Sequence, residues 1–228
     1  MKPSGLLVHR TALASRATAF AVQRLRDQLG RPVYPAHRLD RATSGVLLFA
    51  LEPAVHARLA AAFEAGAVEK RYLAIVRGWP AEELTIDHAL SRLDEDAGGA
   101  AGGPPRPART HLVRLATAEL PVRVDRYPTS RYALVALEPL TGRRHQLRRH
   151  LKHIDHPIIG DTTYGQGRHN RLFRERFGAS RLLLHALGLA LAHPLTGERL
   201  TIVAPPPPDF AAVAAALGWP LPSPAARV

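Results

Sequence analysis

Strand-like runs come at irregular intervals along this chain, and that spacing restricts its fold more than any other feature. Residues 70–77 (KRYLAIVR), 110–120 and 131–138 carry the aliphatic and aromatic residues of strands. Residues 46–51 (VLLFAL) form a short continuous apolar run that reads as a buried strand. Residues 182–192 (LLLHALGLALA) pass through a turn at 194–197 into 200–203, which reads as a hairpin. Helical patterns fall between some of these runs but not all. They cover 15–29, with Ser15 as N-cap and Gly30 as stop, 53–65, 142–153 with Leu147 and Leu151 four apart, and 209–217. This order excludes a regular βαβ alternation. It predicts an α+β fold. The stretch 94–107 (DEDAGGAAGGPPRP) lacks apolar periodicity and reads as a mobile loop inside a single domain spanning residues 1–228.

Charge narrows the partner. Lys and Arg number 31 against 19 acids, a net charge of +12, and all but Lys2, Lys70 and Lys152 of the basic residues are arginine. An imbalance of this size favours a polyanionic partner, nucleic acid before an anionic membrane, and arginine adds bidentate phosphate contacts and stacking on bases. Residues 141–176 hold nine of the basic residues and three acids, half of the net charge in 36 residues. The ordinary alternative is a solvated basic surface. No run approaches the roughly 18–20 apolar residues that span a bilayer. The chain has no cysteine, which removes disulfides, thiolate metal ligands and cysteine nucleophiles and makes a reducing cytoplasm the expected compartment.

Two segments could carry chemistry. Residues 37–45 read HRLDRATSG, where Arg38 and Arg41 flank Asp40 and would hold it ionised. The plainer reading is an Asp-initiated turn with two surface arginines. Residues 141–150 read TGRRHQLRRH, with Arg143, Arg144, Arg148 and Arg149 spread over more than one helical face, as in a phosphate-binding helix or a merely solvated one. The histidines at 145, 150, 153 and 156 lack the i, i+4 pairing of helical zinc ligands and an acidic or cysteine complement, so no metal is expected.

HRLDRATSG followed by VLLFA resembles the signature of the RluA-like pseudouridine synthases. Four further segments agree in order: 2–5 (KPSG), 69–78 (EKRYLAIVRG), 141–161 (TGRRHQLRRHLKHIDHPIIGD) and 182–198 (LLLHALGLALAHPLTGE). Within that family, residues 126–161 and 169–178 are most similar to the branch that modifies uridine 65, in the T-stem region of tRNA. The resemblance implies a mainly antiparallel mixed sheet flanked by helices and loops, an RNA substrate, tRNA first, no cofactor, no membrane and no protein partner.

It also implies roles residue by residue. Asp40 matches the essential aspartate, as nucleophile at C1′ or as base at C2′, and Arg148 matches the arginine that pairs with it. Tyr72 matches the tyrosine that stacks on uracil. Leu147 supplies an apolar wall, and Arg38 matches the arginine that fills the stack when the target base flips out. Arg41, Arg143, Arg144 and Arg149 would bind substrate. His37, His145 and His185 read as structural hydrogen-bonding residues. The chain departs from the family pattern in having Met1 where an Asn precedes the KPSG lysine, and in lacking a small RNA-binding module ahead of it. For the first departure, either the start is assigned late or the chain lacks the strand that relatives have there, which would leave a sheet edge unpaired; the second predicts that the catalytic domain supplies its own RNA affinity. Readings from other classes are an RNA chaperone without catalysis and an N-glycosylase that releases free base; a synthase acting on another tRNA or rRNA uridine also stays open.

Overall fold

A computed structural model describes residues 1–9, 19–93 and 102–222. The elements are α1 (Ala21–Leu29), β1 (Tyr34–Pro35), β2 (Ser44–Gly45), β3 (Phe49–Ala50), α2 (Pro53–Glu64), β4 (Glu69–Arg77), β5 (Glu83–Asp87), β6 (Arg109–Leu120) and β7 (Ser130–Pro139). They continue with α3 (Gln146–His153), α4 (Gly167–Phe177), β8 (Leu184–Ala192), β9 (Arg199–Val203) and α5 (Pro208–Ala216). One sheet runs β2-β8-β4-β7-β6-β5, with β9 also on β8. Its pairs are antiparallel except β2 with β8. This is the α+β fold that the irregular spacing predicts, with the mixed, mainly antiparallel sheet that the resemblance implies.

The alternation of β4 and β7 sorts the core into two faces. Leu73, Ile75, Tyr132 and Leu134 pack with Phe173 of α4 and with Phe210 and Val213 of α5. Ala74, Val76, Ala133 and Val135 pack on the other side with Leu147 and Leu151 of α3. Each fully buried Leu, Ile or Phe contributes roughly 1.5–3 kcal/mol. The two faces therefore anchor α3 and α4 independently, on opposite sides of the sheet. The basic stretch 141–176 is divided between them, so it cannot form the one phosphate-binding surface that its charge density suggests.

Several sequence expectations are corrected. Residues 46–51 are not one strand. Val46 ends the pairing with β8 through its N–H to the Ala186 carbonyl, and the chain then swings to pair Phe49–Ala50 with Tyr34–Pro35. A continuous apolar run marks burial, and a partly buried crossover satisfies it as well as a strand does. The first described helix begins at Ala21 behind buried Phe20, whose side chain makes no capping bond, and Leu29 is largely exposed; Ser15 lies outside the described residues. The third helix begins at Gln146 rather than at 142. Its amide oxygen accepts from the Arg143 N–H and the Thr141 hydroxyl, and its amide nitrogen donates to the Arg109 carbonyl and Thr110 Oγ1. Satisfying a buried glutamine four ways holds 141–145 in a turn and ties α3 to β6.

Residues 94–101 of the Gly/Pro stretch lie outside the described residues. On either side of them Leu90 and Arg106 exchange backbone hydrogen bonds, so the stretch closes a β5–β6 connection. Beside β2, Lys2 exchanges backbone hydrogen bonds with Gly45.

Gly45 is the position where the backbone leaves no choice. Its φ is +123°, and an added Cβ would lie 2.1 Å from the Ala186 carbonyl oxygen. We expect Gly45→Ala to cost about 3 kcal/mol, because a left-handed conformation and a backbone clash are combined. The urea midpoint checks this, and an unchanged midpoint contradicts it.

Candidate active site

The loop carrying Asp40 is braced from beneath by the amino-terminal segment. Ser4 Oγ donates to the Ala42 carbonyl, the Gly5 N–H donates to the Arg41 carbonyl, and Arg41 Nε returns a bond to Gly5 O. Lys2 is 3% exposed and its ammonium donates to the carbonyls of Pro3, Leu6 and Arg41. Burial lowers its pKa to about 8, against the opposing pull of the nearby Asp40 charge. The Thr43 N–H to Asp40 carbonyl bond closes a turn at Asp40. The plain turn reading therefore holds for the backbone, and the side chain is turned to another use.

That side chain enters a cleft of about 920 Å³. Arg148 reaches it from α3, with Nη1 3.3 Å from Asp40 Oδ2. The stronger partner of Arg148 is Asp161, absent from the sequence-derived site: Nε lies 2.7 Å from Oδ2 and Nη2 2.9 Å from Oδ1. The side chains of Asp161, Arg148 and Asp40 are 1%, 8% and 25% exposed, a gradient from core to cleft. Burial would raise the Asp161 pKa, but the guanidinium fork and the N–H groups of Tyr164 and Thr163 outweigh it and hold the carboxyl below its usual range. For Arg148, burial is likewise outweighed by the two carboxylates, so the cation is held firmly. Asp161 thus fixes the fork, and one nitrogen of the fork is left for Asp40.

Opposite stands Tyr72 on β4, which packs with Leu147 and lines the cleft together with Leu184. Burial first, and then the Asp40 charge, push the Tyr72 phenol well above its ordinary pKa, so it is a neutral ring that keeps its hydroxyl proton. His37 stacks on Phe63 and accepts the Leu48 N–H, and burial lowers its pKa to about 4. His185 is fully buried between Ser44 Oγ and the Ala204 carbonyl. His145 lines the cleft, with Nδ1 3.0 Å from the Tyr164 hydroxyl and Nε2 3.9 Å from Asp40 Oδ1.

The structure brings Arg38, Asp40, Arg41, Tyr72, Arg143, Arg144, Leu147 and Arg148 to this one cleft, joined by Lys70. Arg149 does not line it. Its Nη1 donates to the Ser91 carbonyl at 2.8 Å, anchoring the chain that leaves β5. Arg168, Arg171, Arg174 and Arg176 ride on α4, behind the sheet. Asp161 had one legible signal, a carboxylate among nine basic residues, which calls for a partner.

The RNA pseudouridylate synthase family matches residues 1–153. The tRNA pseudouridine synthase C of Yersinia pestis is 48% identical over 221 residues, covering 96% of this chain and 86% of that protein. The protein of the same name from Pasteurella multocida is 51% identical over 206 residues, covering 89% and 85%. Among solved structures, human RNA pseudouridylate synthase domain containing 4 is similar with a TM-score of 0.69 at 27% identity, over 97% of this chain and 90% of that one.

Proposed function

We propose a function that starts from one premise: this chain belongs to the RNA pseudouridylate synthase family. It isomerises uridine to pseudouridine in tRNA, the substrate named for relatives that match nearly its whole length. We assign the target as uridine 65, the chemistry to Asp40, and the compartment to the cytoplasm. One domain supplies both RNA affinity and catalysis. No helix among the described residues is long and apolar enough to cross a membrane.

The observation that carries the reading is the Asp161–Arg148–Asp40 chain ending in a cleft beside Tyr72. The reaction breaks N1–C1′, rotates the base and joins C1′ to C5. The C5 hydrogen leaves as a proton and N1 gains one, so nothing is oxidised or hydrolysed and the chemistry calls for no cofactor. Uracil departs as a delocalised anion, so one ionised carboxylate can do what glycoside hydrolysis divides between two. Asp40 acts at C1′ or at C2′. Arg148 keeps it charged and aimed, Tyr72 stacks on the uracil, and Leu147 and Leu184 exclude water from the glycosyl intermediate. The target must leave its helix to reach the cleft, at a few kcal/mol of unstacking, and Arg38 at the rim fills the gap. A binder without chemistry has no use for a carboxylate facing phosphate-rich RNA, which disfavours the chaperone reading.

The test is tritium release from C5-labelled uridine in tRNA transcripts. Release with an intact sugar–base linkage is expected, whereas an abasic product would make the protein a glycosylase. The division of the basic stretch gives a second expectation. Replacing Arg41 and Arg143 by Gln should flatten the slope of log K against log salt by about one to two units, as phosphate contacts are lost. Replacing Arg171 and Arg174 on α4 should leave it unchanged, with melting curves alongside to show that both variants fold. Equal slopes for the two variants would contradict cleft-side binding.

A further inference from the structure

We propose that His145, held by Tyr164, is a positioning residue that orients the Asp40 carboxylate for reaction; the inference rests on the catalytic assignment of Asp40 above. His145 and Asp155 are the described non-glycine residues with positive φ, His145 at +55°. Side-chain-bearing residues rarely adopt this conformation, and it persists where the surroundings impose it. Here it aims the imidazole into the cleft immediately before α3 begins. Nδ1 lies 3.0 Å from the Tyr164 hydroxyl, the two rings meet edge-on at 5.6 Å, and Nε2 lies 3.9 Å from Asp40 Oδ1.

The two oxygens of Asp40 therefore have different neighbours, since Arg148 takes Oδ2. Burial keeps the imidazole below its usual pKa, with Asp40 and Asp161 pulling up and Arg148 and Arg144 pulling down, so the ring is neutral and carries one N–H. Electrostatics selects which nitrogen bears it. A lone pair on Nε2 facing a carboxylate oxygen is repulsive, so Nε2 bears the hydrogen and Nδ1 accepts from Tyr164 O–H. At 3.9 Å the N–H directs Oδ1 without closing a hydrogen bond on it. An oxygen that must react at carbon or take a proton is thereby oriented yet left available. The Tyr164 ring also lies under the Arg148 guanidinium, 5.0 Å away, and its N–H binds Asp161, so one residue braces both arms that hold Asp40.

Single-turnover rates and tRNA affinities of the full chain, Tyr164→Phe, His145→Asn and the double variant test this. Phenylalanine keeps the ring under Arg148, and asparagine tolerates the left-handed backbone. Loss of one hydrogen bond should slow Tyr164→Phe about fivefold, with affinity within about twofold. His145→Asn should lose about tenfold or more, and the double variant no more than His145→Asn alone, because Tyr164 acts through the imidazole. A wild-type rate for Tyr164→Phe overturns the proposal, whether or not His145→Asn folds. Multiplying effects overturn it too, because the Tyr164 hydroxyl would then act independently of the imidazole. Failure of the unaltered chain to isomerise tRNA would instead overturn the function on which the proposal rests.

Discussion

Asp40→Asn is expected to lower isomerisation at least about a thousandfold while tRNA affinity stays within about twofold, because the change removes the one negative charge at the reacting centre and no phosphate contact. The amide keeps the shape of the carboxylate, and Arg148 remains tied to Asp161 through two bonds, so the cleft has no reason to collapse. Tritium release under single-turnover conditions, paired with filter binding, separates the two quantities. Turnover within tenfold of the unaltered chain would remove Asp40 from its role.

Asp161→Asn should combine a loss of stability with a loss of rate. It leaves the 8%-exposed Arg148 side chain with its charge only partly matched, and breaking a buried pair in this way costs about 3 kcal/mol. At this chain length that corresponds to a fall in Tm of roughly 6–12 °C. Rate should drop about a hundredfold as the fork loses its anchor and the reacting geometry loosens. The pH dependence has a definite sign. The folded-state pKa of Asp161 is depressed, so its stabilisation is fully present above the unfolded value of about 4 and is lost as pH falls through the lower folded value. The stability gap between the two proteins should be flat above about pH 5 and close below about pH 4. A gap that persists unchanged at pH 3 would mean that Asp161 acts through shape rather than charge.

How much of this was legible depends on whether the information is local. The family resemblance pointed to Asp40 and Arg148 because HRLDRATSG and HQLRRH are contiguous motifs; the residues alone left a plain turn and a solvated basic helix open. The strands β4, β6 and β7 were legible as β-rich runs, and the β8–β9 hairpin as two such runs joined by a turn. Asp161 was hidden because it stands 13 positions after Arg148, beyond the end of α3 and across a turn that no periodicity describes. The split of the basic stretch was hidden for a similar reason. Phe173 and Leu147 look alike in sequence, and only the alternation of β4 and β7 sends one to each face. Residues 46–51 show the converse error: only Val46 and Ala50 are buried, Leu51 is exposed, and the pairing changes within the run, since Gly45 at φ +123° turns the chain immediately before it. Arg149 sits beside Arg148 in the motif, but one step along a helix rotates it by about 100°, away from the cleft and onto the Ser91 carbonyl.

Pseudouridine mapping of total RNA from cells lacking this chain tests the central claim most directly, with the unaltered chain and Asp40→Asn each restored in parallel. The expected result is the loss of pseudouridine at position 65 of tRNA, its return with the unaltered chain, and no return with Asp40→Asn. An RNA population in which every tRNA pseudouridine persists, or in which Asp40→Asn restores the lost site, would contradict the account.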